Sequence, residues 1–183
     1  MQTILGQKSL SITNNGVIVK SFWILIFTFL TAAGAWIEIP TKPIPFTLQT
    51  FFVLLTAAYL GAKKSAISQL TYLSLGAIGL PVFSGFSFGL TKLLGPTGGY
   101  LLSFPISAFV MGYLLSLKKN YVWTLFSMTI GILIIFIMGT IHLNLFYIQN
   151  WKQSIISGFL IFSWWDALKI LAAASIYNIF SKK

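Results

Sequence analysis

Long apolar segments joined by short turns leave this chain few ways to fold. They predict six helices, at about residues 21–38, 47–61, 65–80, 97–117, 121–143 and 153–181. A helix satisfies its own backbone hydrogen bonds in a bilayer, and about 20 apolar residues span the hydrocarbon core. Only 8% of the residues are charged, against about 25% in soluble domains. The expected fold class is an all-α integral membrane protein, with residues 1–183 forming one six-helix bundle.

The connections between these helices are of two kinds. Gly61-Ala62-Lys63-Lys64 separates the short second and third helices, and it predicts a tight turn. Longer connections, rich in Pro and Gly, are expected at residues 39–46, 81–96 and 143–152. The first apolar run is similar to a signal peptide, but some twenty residues precede it and five more helices follow. These features favour an uncleaved first helix.

The distribution of lysines predicts the orientation of the bundle. Eight lysines belong to the termini and to the two shortest turns: Lys8, Lys20, Lys63, Lys64, Lys118, Lys119, Lys182 and Lys183. The connections on the opposite side carry Lys42, Lys92 and Lys152. Because Lys and Arg accumulate on the cytoplasmic side of membrane proteins, both termini are predicted to be cytoplasmic. The three longer connections are then on the outside.

The composition argues against several classes of function. The chain has no Cys, one His and only two acidic residues, Glu38 and Asp166, so no metal site is expected. The net charge of +10 comes from lysines that stand singly or in pairs. No basic patch interleaved with aromatic residues appears, which argues against nucleic-acid binding. The glycines of residues 85–92 lack the spacing of a phosphate-binding loop, so the chain is not expected to be an enzyme that hydrolyses ATP.

Two charged side chains lie inside the last apolar segment. Asp166 and Lys169 are three residues apart, which places them on one face of a helix. A charge at bilayer depth costs roughly 2.5–3.5 kcal/mol on insertion scales, and such groups are usually paired and functional. The pair is interpreted as a site for a polar ligand, walled by Trp164 and Trp165. An ion pair that only fixes helix packing is the alternative, and a proton relay is disfavoured because titratable partners are scarce.

Two connecting segments carry further candidate residues. Residues 79–100 hold six of the 15 glycines and many apolar side chains. This composition predicts a lid over an apolar pocket or, as the alternative, an ordinary flexible loop. Three prolines stiffen residues 39–46 and block helix formation there. The amide of Gln49 then falls at membrane depth, where it needs hydrogen-bond partners.

Small residues recur at four-residue spacing in the first helix. Thr28 and Ala32 form one such pair, and Thr31 and Ala35 form the other. This spacing allows another helix to approach closely. The spacing alone is equally consistent with docking of a partner protein and with packing inside this bundle.

Four strings occur in the order that is typical of a known membrane protein family. They are IPFTLQT at 44–50, GAIGLPVF at 76–83, GPTGGYL at 95–101 and Asp166-x-x-Lys169. Together they closely resemble the BioY family, the biotin-binding substrate (S) components of energy-coupling-factor (ECF) transporters. The resemblance covers about residues 32–174. It implies a six-helix S component in a bacterial cytoplasmic membrane, with a ligand cavity near the outer face.

The resemblance also implies roles for particular residues. Asp166 and Lys169 are expected to contact biotin, whose ureido ring and valerate carboxylate offer matching donors and acceptors. The residues expected to line the cavity are Thr47, Gln49 and Tyr100, and those expected to close it are Phe83 and Ser84. The residues expected to dock on a partner are Thr28, Thr31, Ala32 and Ala35. That partner is a membrane coupling (T) protein working with two cytoplasmic ABC-type ATPases, and no cofactor is expected in this chain.

Other functions predict different features. An S component for thiamin or riboflavin would share the fold and differ in its ligand. A membrane-embedded transferase would need more acidic residues, or a group of residues containing His, at one interface. A purely structural membrane subunit would tolerate apolar replacements of both Asp166 and Lys169.

Overall fold

The structure is a computed structural model, and it describes residues 8–181. Its elements in chain order are α1 (Lys8–Trp36), β1 (Glu38–Ile39), β2 (Phe46–Thr47), α2 (Gln49–Ala77), α3 (Leu90–Leu94), α4 (Gly98–Leu117), α5 (Tyr121–Leu143), α6 (Trp151–Ile155) and α7 (Ile161–Ser181). The strands form one short antiparallel pair, in which Glu38 lies opposite Thr47. Helices make up most of the described chain, which confirms the all-α class.

The chain reverses direction within α2, at Gly61. This glycine has φ 71° and ψ 177°, a conformation that is essentially confined to glycine. Residues 49–60 and 62–77 form two antiparallel helices, as hydrogen bonds between them require. Gln49 donates to the Tyr72 hydroxyl at 2.7 Å, and the Gln69 side chain donates across to the first half at 3.4 Å. The reversal begins at the first residue of the predicted turn.

Two boundaries near the start of the chain differ from the predicted ones. α1 begins at Lys8 rather than near residue 21, and it ends at Trp36 because β1 follows almost at once.

The connection at 81–96 is partly helical, with a 3₁₀ turn at Ser84–Phe86 followed by α3. The predicted lid at residues 79–100, called here the lid segment, is therefore folded rather than extended.

The connection at 143–152 is also largely helical. A π-helical turn at Asn144–Ile148 continues α5, and Asn150 then caps α6 by accepting a hydrogen bond from a backbone N–H. A second π-turn at Ile156–Leu160 joins α6 to α7, so the sixth predicted helix runs on through a widened turn. Within it, the Gly158 carbonyl accepts from a side-chain hydroxyl at 2.8 Å. Such wide turns leave backbone groups available to side chains.

Four of the described helices are long and apolar enough to cross a membrane: Ile18–Trp36, Gly98–Leu117, Tyr121–Ile148 and Trp151–Phe180. The two halves of α2 are shorter, and they pack at the centre of the bundle against α1, α4 and α7. Backbones approach closely where Gly112 of α4 meets Ala62. A Cβ at position 112 would lie 2.5 Å from the Ala62 nitrogen, so a larger residue there would push α4 away from α2.

Neutral polar side chains join α1 to α2. Thr28 donates to the Ser68 carbonyl at 3.0 Å, and Gln69 donates to the Thr31 hydroxyl at 3.1 Å. Gln69 also reaches the Thr56 hydroxyl at 3.4 Å. These five residues, called here the interhelix cluster, are each at most 3% exposed. Hydrogen bonds of this kind contribute to the association of membrane helices.

The predicted docking residues lie on the same buried face of α1. Thr28, Thr31, Ala32 and Ala35 are each at most 3% exposed. They are not available to a partner protein in this fold, which contradicts their assignment as a docking surface. Their four-residue spacing serves close packing within the bundle instead. The exposed face of α1 carries large apolar side chains, namely Ile18, Phe22, Leu25 and Phe29.

Several lysine-bearing segments meet at one end of the bundle. Lys20 and Lys64 line one groove together with Tyr59. Tyr59 packs edge-on against Tyr177 near the end of α7, with ring centroids 5.7 Å apart. The start of α5 reaches the same end of α7 through two hydroxyls 3.2 Å apart, so the α4–α5 turn lies there too. Lys182 and Lys183 lie outside the described residues.

Candidate ligand-binding site

A cavity lies at the other end of the bundle, between α2, α4, α5 and α7. Most of the wall is apolar or aromatic, and its two charged groups lie where α7 meets the start of α2. Its lining residues are Ile44, Pro45, Thr47, Gln49, Thr50, Ser84, Thr97, Tyr100, Leu101, Phe104, Ile135, Phe136, Phe162, Asp166 and Lys169.

The charged pair stands in the wall of this cavity. Lys169 Nζ lies 3.2 Å from Asp166 Oδ1, and the two side chains are 7% and 3% exposed. Nζ also donates to the Thr47 carbonyl at 2.8 Å and to the Thr50 hydroxyl at 2.9 Å. An ammonium group has three protons to donate, so these three acceptors use all of them. The protein thus satisfies the lysine fully, as burial of a charge requires.

Asp166 keeps one oxygen for a further hydrogen bond. Thr50 donates to Oδ1 at 2.5 Å, and Lys169 donates to the same atom. Within the part of the chain that the structure describes, no donor reaches Oδ2. A carboxylate can accept several hydrogen bonds, so Oδ2 can accept an N–H or O–H from a molecule in the cavity. Thr47, Thr50, Asp166 and Lys169 are called here the cavity cluster.

Gln49 and Thr47 belong to a hydrogen-bonded chain at the edge of the cavity. The Thr47 hydroxyl donates to Gln49 Oε1 at 2.9 Å, and Gln49 Nε2 donates to the Tyr72 hydroxyl at 2.7 Å. Tyr72 then donates to the Val82 carbonyl at 3.1 Å. The buried amide therefore has the partners that its depth demands. The same series of hydrogen bonds connects the cavity wall to the start of the lid segment.

The two residues predicted to close the cavity have different positions. Ser84 lines the cavity. Phe83 does not; it is fully buried and packs edge-on against Tyr72, with ring centroids 5.5 Å apart. It anchors the lid segment to α2 rather than contacting the cavity, because a glycine of α2 leaves room for its ring. Phe86 is exposed and stacks on Trp36 at 5.3 Å, which holds the outer side of the segment.

The aromatic wall differs in part from the predicted one. Tyr100 lines the cavity, while its hydroxyl donates at 2.8 Å to a backbone carbonyl of the π-turn before α7. Trp164 and Trp165 do not line it, and Trp164 is 63% exposed. Phe162 takes their place. A four-residue step keeps Phe162 on the face of Asp166, whereas a two-residue step turns Trp164 away.

Some lining residues were not predicted from the sequence. Thr50 contacts both charges, and its place in the first turn of α2, directly after Gln49, was the available signal. Thr97 lines the cavity, and its hydroxyl is buried without a hydrogen-bond partner among the described residues. Leu101 and Phe104 follow it at helical spacing and form part of the apolar wall.

The described residues do not suggest a metal site. Across residues 8–181, no three His, Cys, Asp or Glu side chains group closely enough to hold a metal ion. His142 packs beside Gly99 and outside the cavity lining. The site therefore presents hydrogen-bonding groups and apolar surface to a ligand.

Together, the fold and the site define a class of protein. Apolar helices surround a cavity in which a buried carboxylate retains accepting capacity beside an aromatic wall. Such a cavity suits a small molecule that has both hydrogen-bonding and apolar parts. The protein is thus a membrane-embedded small-molecule-binding protein.

Comparison with known proteins identifies its family. The BioY family matches residues 7–183. The chain is 48% identical over 151 residues to the biotin transporter BioY of Thermotoga maritima, covering 82% of this chain and 89% of that protein. It is 40% identical over 153 residues to the probable biotin transporter BioY of Pyrococcus horikoshii, covering 84% and 90%. This chain belongs to the BioY family.

A solved structure extends the comparison to the fold. The crystal structure of the S component for biotin from an ECF-type ABC transporter matches with a TM-score of 0.86. The two chains are 26% identical, and the match covers 93% of this chain and 94% of the other. The bundle described above therefore has the architecture of an ECF S component.

Proposed function

We propose that this protein is the substrate-binding subunit of a biotin uptake transporter, and that biotin binds in the cavity beside Asp166. The observation that carries the proposal is the buried Asp166–Lys169 pair in the wall of a largely apolar cavity. Biotin is supported as the ligand by the relatives, which are named biotin transporters, and by the matched structure, which is an S component for biotin.

The chemistry of biotin matches the two sides of the cavity. Its ureido ring has two N–H donors and a carbonyl, and its valerate chain is apolar up to the terminal carboxylate. Asp166 Oδ2 accepts one ureido N–H. Lys169 holds Asp166 in place and keeps the pair electrically neutral before and after binding. The apolar parts of biotin pack against Leu101, Phe136 and Phe162.

Biotin enters this cavity from outside the cell. The lysine-bearing end of the bundle is cytoplasmic by the positive-inside rule, together with both termini. The cavity and the lid segment are at the opposite end, near Lys92. Because the chain has no Cys, a Lys92→Cys variant can be labelled selectively. A membrane-impermeant maleimide should label it on intact cells and should label Lys119→Cys only after permeabilisation; the reverse pattern would overturn this orientation.

An ATP-driven partner completes the transporter. The matched structure is described as part of an ECF-type ABC transporter, which supports assembly with a membrane coupling (T) protein and two cytoplasmic ABC-type ATPases. Co-expression with these three subunits should give a complex that co-purifies and takes up biotin in an ATP-dependent way. ATP-independent uptake by this chain with no stable complex would contradict the assembly but not the binding site.

Direct binding tests the ligand. Isothermal titration of the purified protein in detergent should give tight, saturable binding of one biotin per chain. Thiamin and riboflavin at the same concentrations should neither bind nor compete. Binding of either of these in place of biotin would contradict the assigned ligand, and failure of the folded protein to bind any of the three would contradict the substrate-binding role.

A further inference from the structure

A second groove lies at the lysine-bearing end of the bundle, between α1 and α2. The side chains that matter in it are Lys20, Trp23, Phe27, Tyr59 and Lys64. It shares no lining residue with the biotin cavity. The uptake function proposed above assigns no role to it.

The floor of this groove is aromatic. Trp23 lies on Phe27, with ring centroids 6.5 Å apart, and Phe27 stacks on Tyr59 at 6.0 Å with an interplanar angle of 22°. Phe27 is 7% exposed, whereas Trp23 and Tyr59 are 49% and 42% exposed. Trp and Tyr prefer the level of the lipid headgroups, because one part of the ring is apolar and the other forms hydrogen bonds. The floor is thus open to a molecule that carries an apolar portion.

The rim of the groove is positively charged, and within residues 8–181 neither of its lysines has a counter-ion. Lys20 and Lys64 form no ion pair or hydrogen bond with any described residue. The only acidic side chains of the whole chain are Glu38 and Asp166. Asp166 is paired with Lys169, and Glu38 lies by the lid segment at the other end. Neither acidic side chain is available to the rim, so an anion from outside the chain can pair with it.

We propose that this groove binds an anionic phospholipid. The phosphate lies between Lys20 and Lys64, and the glycerol and upper acyl chain lie on the aromatic floor. Basic pockets between membrane helices are suited to anionic headgroups. The groove also adjoins exposed apolar side chains of α1, at Val19 and Phe22, along which an acyl chain can continue into the bilayer. A free phosphate ion would use the lysines alone and leave the aromatic floor without a partner.

Native mass spectrometry of the delipidated full-length protein tests this site. Dioleoyl-phosphatidylglycerol and dioleoyl-phosphatidylcholine have the same acyl chains, so they differ only in the headgroup. Wild type should retain phosphatidylglycerol preferentially. The double variant Lys20→Gln/Lys64→Gln should lose roughly 30-fold of that preference, since each lysine near an anionic surface contributes about fivefold. Lys20→Arg/Lys64→Arg should keep it, and biotin affinity should be unchanged in both.

A matched control separates a built site from general electrostatic attraction. Lys118→Gln/Lys119→Gln removes the same charge from the same end, and it should lower the preference by less than about twofold. An equal loss in both double variants, or no preference in wild type, would overturn the proposal. Displacement of the lipid by millimolar inorganic phosphate would point to a phosphate site instead. If the groove variant kept the lipid but no longer bound the coupling protein, the groove would be a protein-docking surface.

Discussion

The cavity cluster contains two charges and borders open space, whereas the interhelix cluster contains only neutral groups and borders none of the cavity. The interhelix cluster is buried throughout, whereas in the cavity cluster Asp166 and Lys169 are buried and the two threonines are half-buried. In the interhelix cluster, Thr28 and Gln69 donate from one helix to the next, so their hydrogen bonds stabilise packing. In the cavity cluster, Asp166 Oδ2 faces no donor among the described residues and remains able to bind a ligand.

The difference shows which buried polar groups indicate function. A neutral hydroxyl or amide is satisfied by one or two hydrogen bonds across a helix interface. A buried charged group needs more hydrogen bonds than that, and the Lys169 ammonium group donates to three acceptors. A missing partner is not by itself a sign of a site: Gln69 Oε1 also has none within residues 8–181, yet it is packed among side chains. Accepting capacity next to a cavity is the feature that matters.

The largest expected effect is on biotin affinity, from breaking the charged pair. Asp166→Asn or Lys169→Met should weaken biotin binding by about 100-fold, because the hydrogen bond from biotin to the charged carboxylate, which Lys169 holds in place, contributes about 1.5–3 kcal/mol. Asp166→Asn also replaces the proposed acceptor with an amide. Isothermal titration measures the change, and Thr28→Val in the interhelix cluster serves as the matched control. Comparable weakening by Thr28→Val would remove the distinction between the clusters.

A smaller loss of biotin affinity is expected at Thr50, a neutral residue whose hydroxyl forms hydrogen bonds with both Asp166 and Lys169. Thr50→Val should weaken biotin binding by roughly 10-fold, because a hydrogen bond to a charged group contributes about 1.5–3 kcal/mol. The hydroxyl is the group that matters, so Thr50→Ser should retain most of the affinity. Affinity retained in Thr50→Val and lost in Thr50→Ser would show that the methyl group and its packing, rather than the hydroxyl, support the site.

The smallest effect on biotin is expected from the interhelix cluster, where stability should change instead. Thr31→Val removes the acceptor of Gln69 and should lower the free energy of unfolding by about 1–3 kcal/mol, with less than about a twofold change in biotin affinity. Adding Gln69→Leu should recover part of the loss, since both partners are then apolar. Thermal unfolding of the single and double variants measures this. A single variant that loses biotin binding at unchanged stability would place this cluster in the binding site.

Much of the fold and of the candidate site could be predicted from the sequence. Composition indicates which residues lie in the membrane, and periodicity indicates which face of a helix they occupy. The reversal at Gly61 and the position of Asp166 and Lys169 on one face required only helix geometry. The docking assignment failed at Thr31 and Ala35 because small residues suit any close helix contact, and which helix approaches depends on the tertiary fold. Phe83 was expected to close the cavity, but its ring packs against α2 in the room that Gly76 leaves, a tertiary contact that the sequence pattern does not show.

Residues that act through contacts far apart in the chain were the hardest to foresee. Tyr72 connects Gln49 to the lid segment, and nothing in its own neighbourhood shows this. In the sequence, Thr97 is only a threonine that precedes a helix. Its burial and its place in the cavity wall appear only in the structure. Helical phase places Phe162 on the cavity side and turns Trp164 outward, so phase predicts this part of the wall better than residue type does.

The most direct test of the account is the rise in melting temperature that biotin causes, measured in wild type and in Asp166→Asn/Lys169→Met. Replacing both members leaves no lone buried charge, so the double variant should fold. A ligand that binds only the folded state stabilises it in proportion to the logarithm of its concentration over Kd. The account predicts a concentration-dependent rise in wild type and no rise in the folded double variant. Equal rises in the two proteins would contradict the assignment of Asp166 and Lys169 to the biotin site.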